Sequence, residues 1–133
     1  MTSTLIELQK AVYTRLHDDT TLMGMVNGVF DSVPQGTNFP YVAFGAVKTK
    51  DWSTIGTSGV QVMLEVQAWS RERGRAECAN ILQRVHDLIH RANLTVTGRT
   101  LVDIYFTESE IRQENDGLTF RGVITFRANL QES

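Results

Sequence analysis

The chain has a single cysteine, Cys78, in 133 residues, so no internal disulfide can staple it. That usage fits a reducing compartment. Proline is scarce too: the two present, Pro34 and Pro40, both fall in one turn-rich connection. No apolar run approaches the roughly 20 residues of a membrane-spanning helix, so no membrane partner is expected. The opening MTSTLIELQK is neither basic nor apolar enough for a secretory signal, and the expected site of synthesis is the cytosol. Neither charge sign dominates, with 13 basic against 15 acidic residues. This balance argues against a dedicated nucleic-acid binder. No phosphate-binding glycine loop, nucleophile elbow or zinc-ligand spacing occurs.

What is present is a globular composition, 41% hydrophobic and 21% charged, on a length that suits one domain spanning 1–133. The clearest signal runs from 60 to 68. Val60, Val62, Leu64, Val66 and Ala68 alternate with Gln61, Met63, Glu65 and Gln67, the period of a strand with one buried face. Residues 41–47 are apolar on both faces and predict a central strand. The polar stretch 48–59 between them predicts a long, mobile hairpin loop.

The rest of the chain supplies the remaining layers. Ser3 or Thr4 can cap a first helix, and Thr4 with Glu7 fits a capping box. Leu5, Leu8, Val12 and Leu16 then follow at helical spacing as far as His17. Asp18, Asp19 and Thr20 suit the cap of a short second turn, which Asn27 and Gly28 end. A brief strand is expected at 29–31. A long helix is expected from a cap at Ser70 to a stop near Asn93. Its predicted buried stripe is Ala79, Leu82, Val85, Ile89 and Ala92, with Cys78, Ile81 and Leu88 at the margins. A short strand at 94–96 and a longer one from Leu101 towards Arg112 follow. Asn115-Asp116-Gly117 marks a hairpin, with loops of two, three or four residues all open. In the last strand Leu118, Phe120, Ile124, Phe126, Ala128 and Leu130 share one face, and Thr119, Arg121, Val123, Thr125, Arg127 and Asn129 the other. The expected architecture is α+β, an antiparallel sheet with long hairpins packed against two α-helices.

The residues that carry chemistry elsewhere do little here. His86 and His90 stand four apart on one helix, the spacing of two metal ligands, but no third ligand is near in sequence. A border position on the helix's buried stripe explains them more simply. Cys78 near a helix start invites a stabilised thiolate. As a core-margin residue it reads better as a small buried apolar group. Glu108, Glu110 and Glu114 near a hairpin tip read as a solvated acidic ribbon. No catalytic residue, metal ligand or cofactor site is expected, and the chain is not expected to be an enzyme. The arginines Arg71, Arg73 and Arg75 suit contact with a phosphate backbone, ion pairs across an interface or solvated positions. Trp52 and Ile55, in a loop of Gly, Ser and Thr, need somewhere to bury. They can fold back on their own sheet or dock on a neighbour. Trp52, Ile55, Arg71, Arg73, Arg121 and Arg127 are therefore the candidate interface residues.

In order and spacing, several motifs resemble one family across nearly the whole chain. These are the first helix followed by DDTTL, then VFDSVPQGTNFPYVAFG, the DWS of the loop, QAWSRERGRAE opening the long helix, and the terminal DGLTFRGVITFRA. Together they resemble the tail completion, or tail terminator, proteins of long-tailed phages and gene transfer agents. The resemblance implies no catalytic residues. It implies a ring, a cyclic homo-oligomer that is a hexamer in the particle. This ring caps the head-proximal end of the tail tube, ends tube polymerisation and meets the head connector. Its expected partners are itself, the tail tube protein and the head connector protein. DNA passes through it without specific recognition. The expected location is the host cytoplasm during assembly and then the tail of the particle. A ring needs two different patches per subunit, and an edge of the C-terminal hairpin with a helix face can supply them. Alternatives are another head-completion or baseplate adaptor, or a small metal-dependent hydrolase using the two histidines.

Overall fold

The computed structural model describes residues 3–132. Helix α1, Thr4–His17, is capped by Ser3, whose Oγ accepts from Ile6 N–H at 3.4 Å. Thr4 is thus already helical, and Glu7 pairs with Lys10 at 3.3 Å instead of closing a capping box. Leu8, Val12 and Leu16 are fully buried along α1. The short α2, Thr20–Met23, is capped by Asp19, which accepts from Leu22 N–H at 2.8 Å. The same carboxylate takes two hydrogen bonds from Arg84, at 2.9 and 2.7 Å, tying α2 to the long helix. That fork of charge-assisted bonds holds Asp19 below the usual carboxylate range.

The strands are β1 (Val29–Phe30), β2 (Tyr41–Asp51), β3 (Gly59–Ser70), β4 (Arg99–Gln113) and β5 (Phe120–Glu132), with helix α3 (Ala76–Ile89) between β3 and β4. They form one five-stranded sheet in the order β1-β2-β3-β5-β4. All pairs are antiparallel except β1 with β2, so the sheet is mixed. The α+β class stands as expected. The brief strand expected at 29–31 is β1, and its parallel pairing with β2 is an addition that two paired residues, Val29 and Phe30, could not announce by periodicity.

One face of the sheet carries the core. Val62, Leu64, Val66 and Ala68 of β3 lie beside Ile124, Phe126, Ala128 and Leu130 of β5, all 2% exposed or less. Helix α3 closes over β3, β5 and β4, α1 packs against β1, β2 and α3, and among the described residues no helix covers the opposite face.

Five expectations need correction. Residues 48–59 are not a long loop. Strand β2 continues through Lys48–Met63 and Lys50–Gln61 pairs to Asp51. Thr54 and Thr57 then bridge across a turn at Ile55 and Gly56, where Gly56 adopts φ +85°. Beyond Ala43 the outer side of β2 pairs with no named strand, so neither face of Lys48–Asp51 needed apolar residues and no period showed. Ser70 does not cap α3: it ends β3 and its Oγ donates to Glu77 Oε1 at 2.6 Å, while Arg75 stands at the N-cap. The buried stripe of α3 is Cys78, Ile81, Leu82, Val85, Leu88 and Ile89; Ala79 is exposed and Ala92 lies beyond the helix. Residues 94–96 form no strand, and Leu118 is 64% exposed in the hairpin rather than on the core face. That hairpin resolves the open register: Glu114 N–H donates to Thr119 C=O at 2.7 Å, and Gln113 pairs with Phe120.

Candidate interaction surfaces

The six candidate interface residues do not gather at one place. Trp52 and Ile55 sit at the β2–β3 hairpin end. Trp52 is half-buried across its own hairpin, its Cε3 3.1 Å from where a Cβ on Gly59 would stand. Ile55 at the tip is fully exposed. Arg127 lies mid-strand on the helix-free face, its Nη2 3.9 Å from Met63 Sδ, and its buried Nε has no hydrogen-bond partner. Arg73 is exposed in the bend between β3 and α3.

Arg71 and Arg121 lie at the opposite end of the sheet, within a cluster that spacing alone did not reveal. Tyr41 and Trp69 stack there with centroids 6.2 Å apart, and Phe30 and Phe39 lean on Tyr41 at 6.2 and 5.2 Å. The Arg71 guanidinium lies 4.3 Å from the Phe39 ring centre and donates to Thr119 Oγ1 at 3.0 Å. Arg121 Nε faces Glu114 Oε1 at 3.1 Å as an ion pair, although the alignment is too poor for a hydrogen bond. Asp116 organises the adjoining turn. It accepts from the N–H groups of Leu118 and Thr119 at 2.8 Å each, and from Thr119 Oγ1 at 2.6 Å. These bonds, the Thr119 hydroxyl first, pull its carboxyl down to about 2. The usable sequence signal was the pairing of aromatic with arginine in WSR and FRG, together with the two aromatics of FPY.

The remaining chemical candidates resolve as structural groups. His86 and His90 stack with centroids 4.8 Å apart. His90 Nδ1 accepts from Phe106 N–H at 3.0 Å, which requires that nitrogen to be unprotonated. Burial, then the charges of His86 and Arg91, lower its pKa. Among the described residues no three His, Cys, Asp or Glu side chains converge as a metal site. Cys78 is buried, and desolvation pushes its thiol up to about 11, far from a reactive thiolate.

The helix-free face is polar, and its charge is divided between its two edges. Near the β2 edge, Lys48, Lys50 and Arg127 surround a hollow of about 240 Å³ with Thr49, Gln61 and Met63. Near the β4 edge, Glu65, Glu108 and Glu110 line another of about 260 Å³, with Arg121 the cation among its lining residues.

The comparisons agree with this architecture. Residues 10–131 match the family model described as tail completion protein gp17. The tail completion protein gp17 of Bacillus phage SPP1 is 28% identical over 126 residues, covering 95% of this chain and 93% of that protein. Among solved structures, a chain from the virion of a native gene transfer agent particle superposes with a TM-score of 0.88 at 27% identity, covering 93% of this chain and 94% of that one. The structure of the SPP1 gp17 protein superposes at 0.64, also at 27% identity, with 92% and 88% covered. With a family match over nearly its whole length, this chain belongs to the tail completion protein gp17 family, structural proteins of phage and gene transfer agent particles.

Proposed function

We propose that this chain forms a hexameric ring on the head-proximal end of the tail tube, ends tube polymerisation and presents the surface to which the head connector attaches. The observation that carries this reading is the near full-length likeness to a chain of a gene transfer agent particle. At the same 27% identity, that likeness is tighter than the one to SPP1 gp17. The fold suits the task. A cyclic ring joins two different patches of one subunit, and this sheet has a free edge on each side, oppositely charged on the helix-free face. Self, tube protein and head connector are the partners. DNA passes through the ring without sequence-specific contacts. The ring assembles in the host cytoplasm and stays in the tail. Candidate contacts are Trp52 and Ile55 at one end of the sheet, Arg71, Arg73 and Arg121 at the other, and Arg127 between.

The test is electron microscopy of particles made without the protein. Overlong or irregular tails detached from heads are expected. Tails of normal, uniform length that join heads would sink the proposal.

A further inference from the structure

We infer that neighbouring copies join through their sheets. The free edge of β2 at Lys48–Asp51 pairs antiparallel with the distal part of β4 in the next copy, and Lys48 and Lys50 face Glu110 and Glu108. The inference rests on the ring proposed above and specifies its subunit contact.

The edges themselves narrow the choice. On β2, β1 covers only Val42 and Ala43. In the bulge between Phe44 and Val47, Ala46 N–H donates to Glu65 Oε2 of β3 at 3.2 Å and is not available to a strand outside. Only the stretch from Val47 onwards is left to pair. On β4 the middle is blocked from outside. Arg91 N–H donates to Ile104 C=O at 2.7 Å, and Phe106 N–H donates to His90 Nδ1. What remains open is the segment beyond Phe106, which carries Glu108 and Glu110. Strand β2 runs antiparallel to β3, β3 to β5 and β5 to β4, so β2 and β4 run in opposite directions. A neighbour's β4 laid against β2 with the same face inward is therefore an antiparallel partner, and it is a heterologous contact that closes into a ring.

Charge and register agree. Lys48, Lys50, Glu108 and Glu110 are all exposed and all project on the helix-free face. Across the sheet Lys48 stands level with Tyr105, through Met63 and Arg127. An unshifted neighbour would thus put its blocked segment against the lysines. Because β4 bulges between Phe106 and Glu108, Glu110 lies level with Val123, and bringing it opposite Lys48 slides the neighbour by four residues, roughly 13 Å. Six such steps, with four long strands from each copy, tilt the strands by about 35°, at the lower end of the roughly 35–45° of closed barrels. The pairing also gives Lys48, Lys50 and Arg127 carboxylates that their own hollow lacks. Glu110 is already held by Arg112 at 2.9 Å, but that pair is solvent-exposed and readily exchanged.

The experiment is a charge swap read in particles. Lys48→Glu/Lys50→Glu and Glu108→Lys/Glu110→Lys should each melt like wild type and cut particle yield by at least about tenfold, because like charges meet at every contact. The fourfold variant carrying both pairs should recover yield. So should a mixture of the two double variants, since alternating copies restore every contact. Cysteines provide an independent check. Lys48→Cys with Glu110→Cys should give covalent multimers on oxidation of particles, and Lys48→Cys with Tyr105→Cys should not. Wild-type yield from either double variant, no recovery in the fourfold variant, or cross-linking through position 105 instead of 110 would overturn the inference. Wild-type particles in which the protein forms no ring would overturn the parent reading instead.

Discussion

Cys78 of α3 stands where Gly122 of β5 has no side chain. A Cβ on residue 122 would lie 2.7 Å from Cys78 Sγ and 2.7 Å from Leu82 Cδ1. The thiol meanwhile donates to Ala68 C=O at 3.5 Å, so one small side chain joins the helix to two strands. The distance between α3 and the sheet is set here. The expected stripe on α3 was displaced because this contact, rather than the helix's own ranking of apolar residues, fixes which side faces inwards.

Gly122→Ala should destabilise the fold by roughly 1–3 kcal/mol, the usual penalty for overpacking. Adding Cys78→Ala should recover part of that loss, because it clears one of the two close contacts and leaves Leu82. Denaturant midpoints of the two single variants and the double variant give the coupling. Strict additivity would refute the steric account.

Phe126→Ala and Leu82→Ala should each lower stability, by roughly 3–5 and 2–5 kcal/mol. Phe126 is fully buried at the centre of the sheet, and Leu82 is 6% exposed on the inner face of α3. Urea midpoints are the measurement. An unchanged midpoint at either site would remove that residue from the core.

These core positions were legible because burial on one side imposes a period. The alternation at 60–68 placed β3 and its inward face correctly, and the apolar spacing of α1 did the same. Where burial is lacking, pattern fails. Lys48–Asp51 is an edge with little to bury, so it looked like a loop. Arg71, Phe39, Trp69 and Asp116 meet only because β2, β3 and the β4–β5 turn reach the same end of the sheet. No spacing within one segment encodes that meeting. The charge division across the helix-free face is hidden for the same reason, since its two halves lie some sixty residues apart in the chain.

Asp116 should leave a signature in acid. Its carboxyl titrates at about 2 in the folded chain against an ordinary 3.8, held down first by the Thr119 hydroxyl. A depressed folded pKa means a stabilising contribution that is complete above the ordinary value and lost as pH falls through about 2. The melting temperature of Asp116→Asn should therefore fall less steeply than that of wild type between pH 4 and pH 2. Parallel curves would show that the turn does not depend on the ionised carboxylate.

Trp52 and Ile55 share a hairpin end and should behave differently. Trp52 lies half-buried over Gly59, so Trp52→Ala should lower stability of the isolated chain, by roughly 1–2 kcal/mol for partial loss of an aromatic's burial. Ile55 is fully exposed, so Ile55→Ala should leave melting within about 0.5 kcal/mol of wild type. Assembly reverses the ranking. The Ile55 side chain is the one free to enter a neighbour, next to the proposed β2 edge, and truncating an interface anchor can cost about 2 kcal/mol per contact. That loss recurs at every position around a ring. Ile55→Ala with normal melting and reduced particle yield is the expected result, measured by calorimetry and by complementation of particles lacking the protein. Full yield from Ile55→Ala would exclude the tip from the contact and confine the interface to the strand edges.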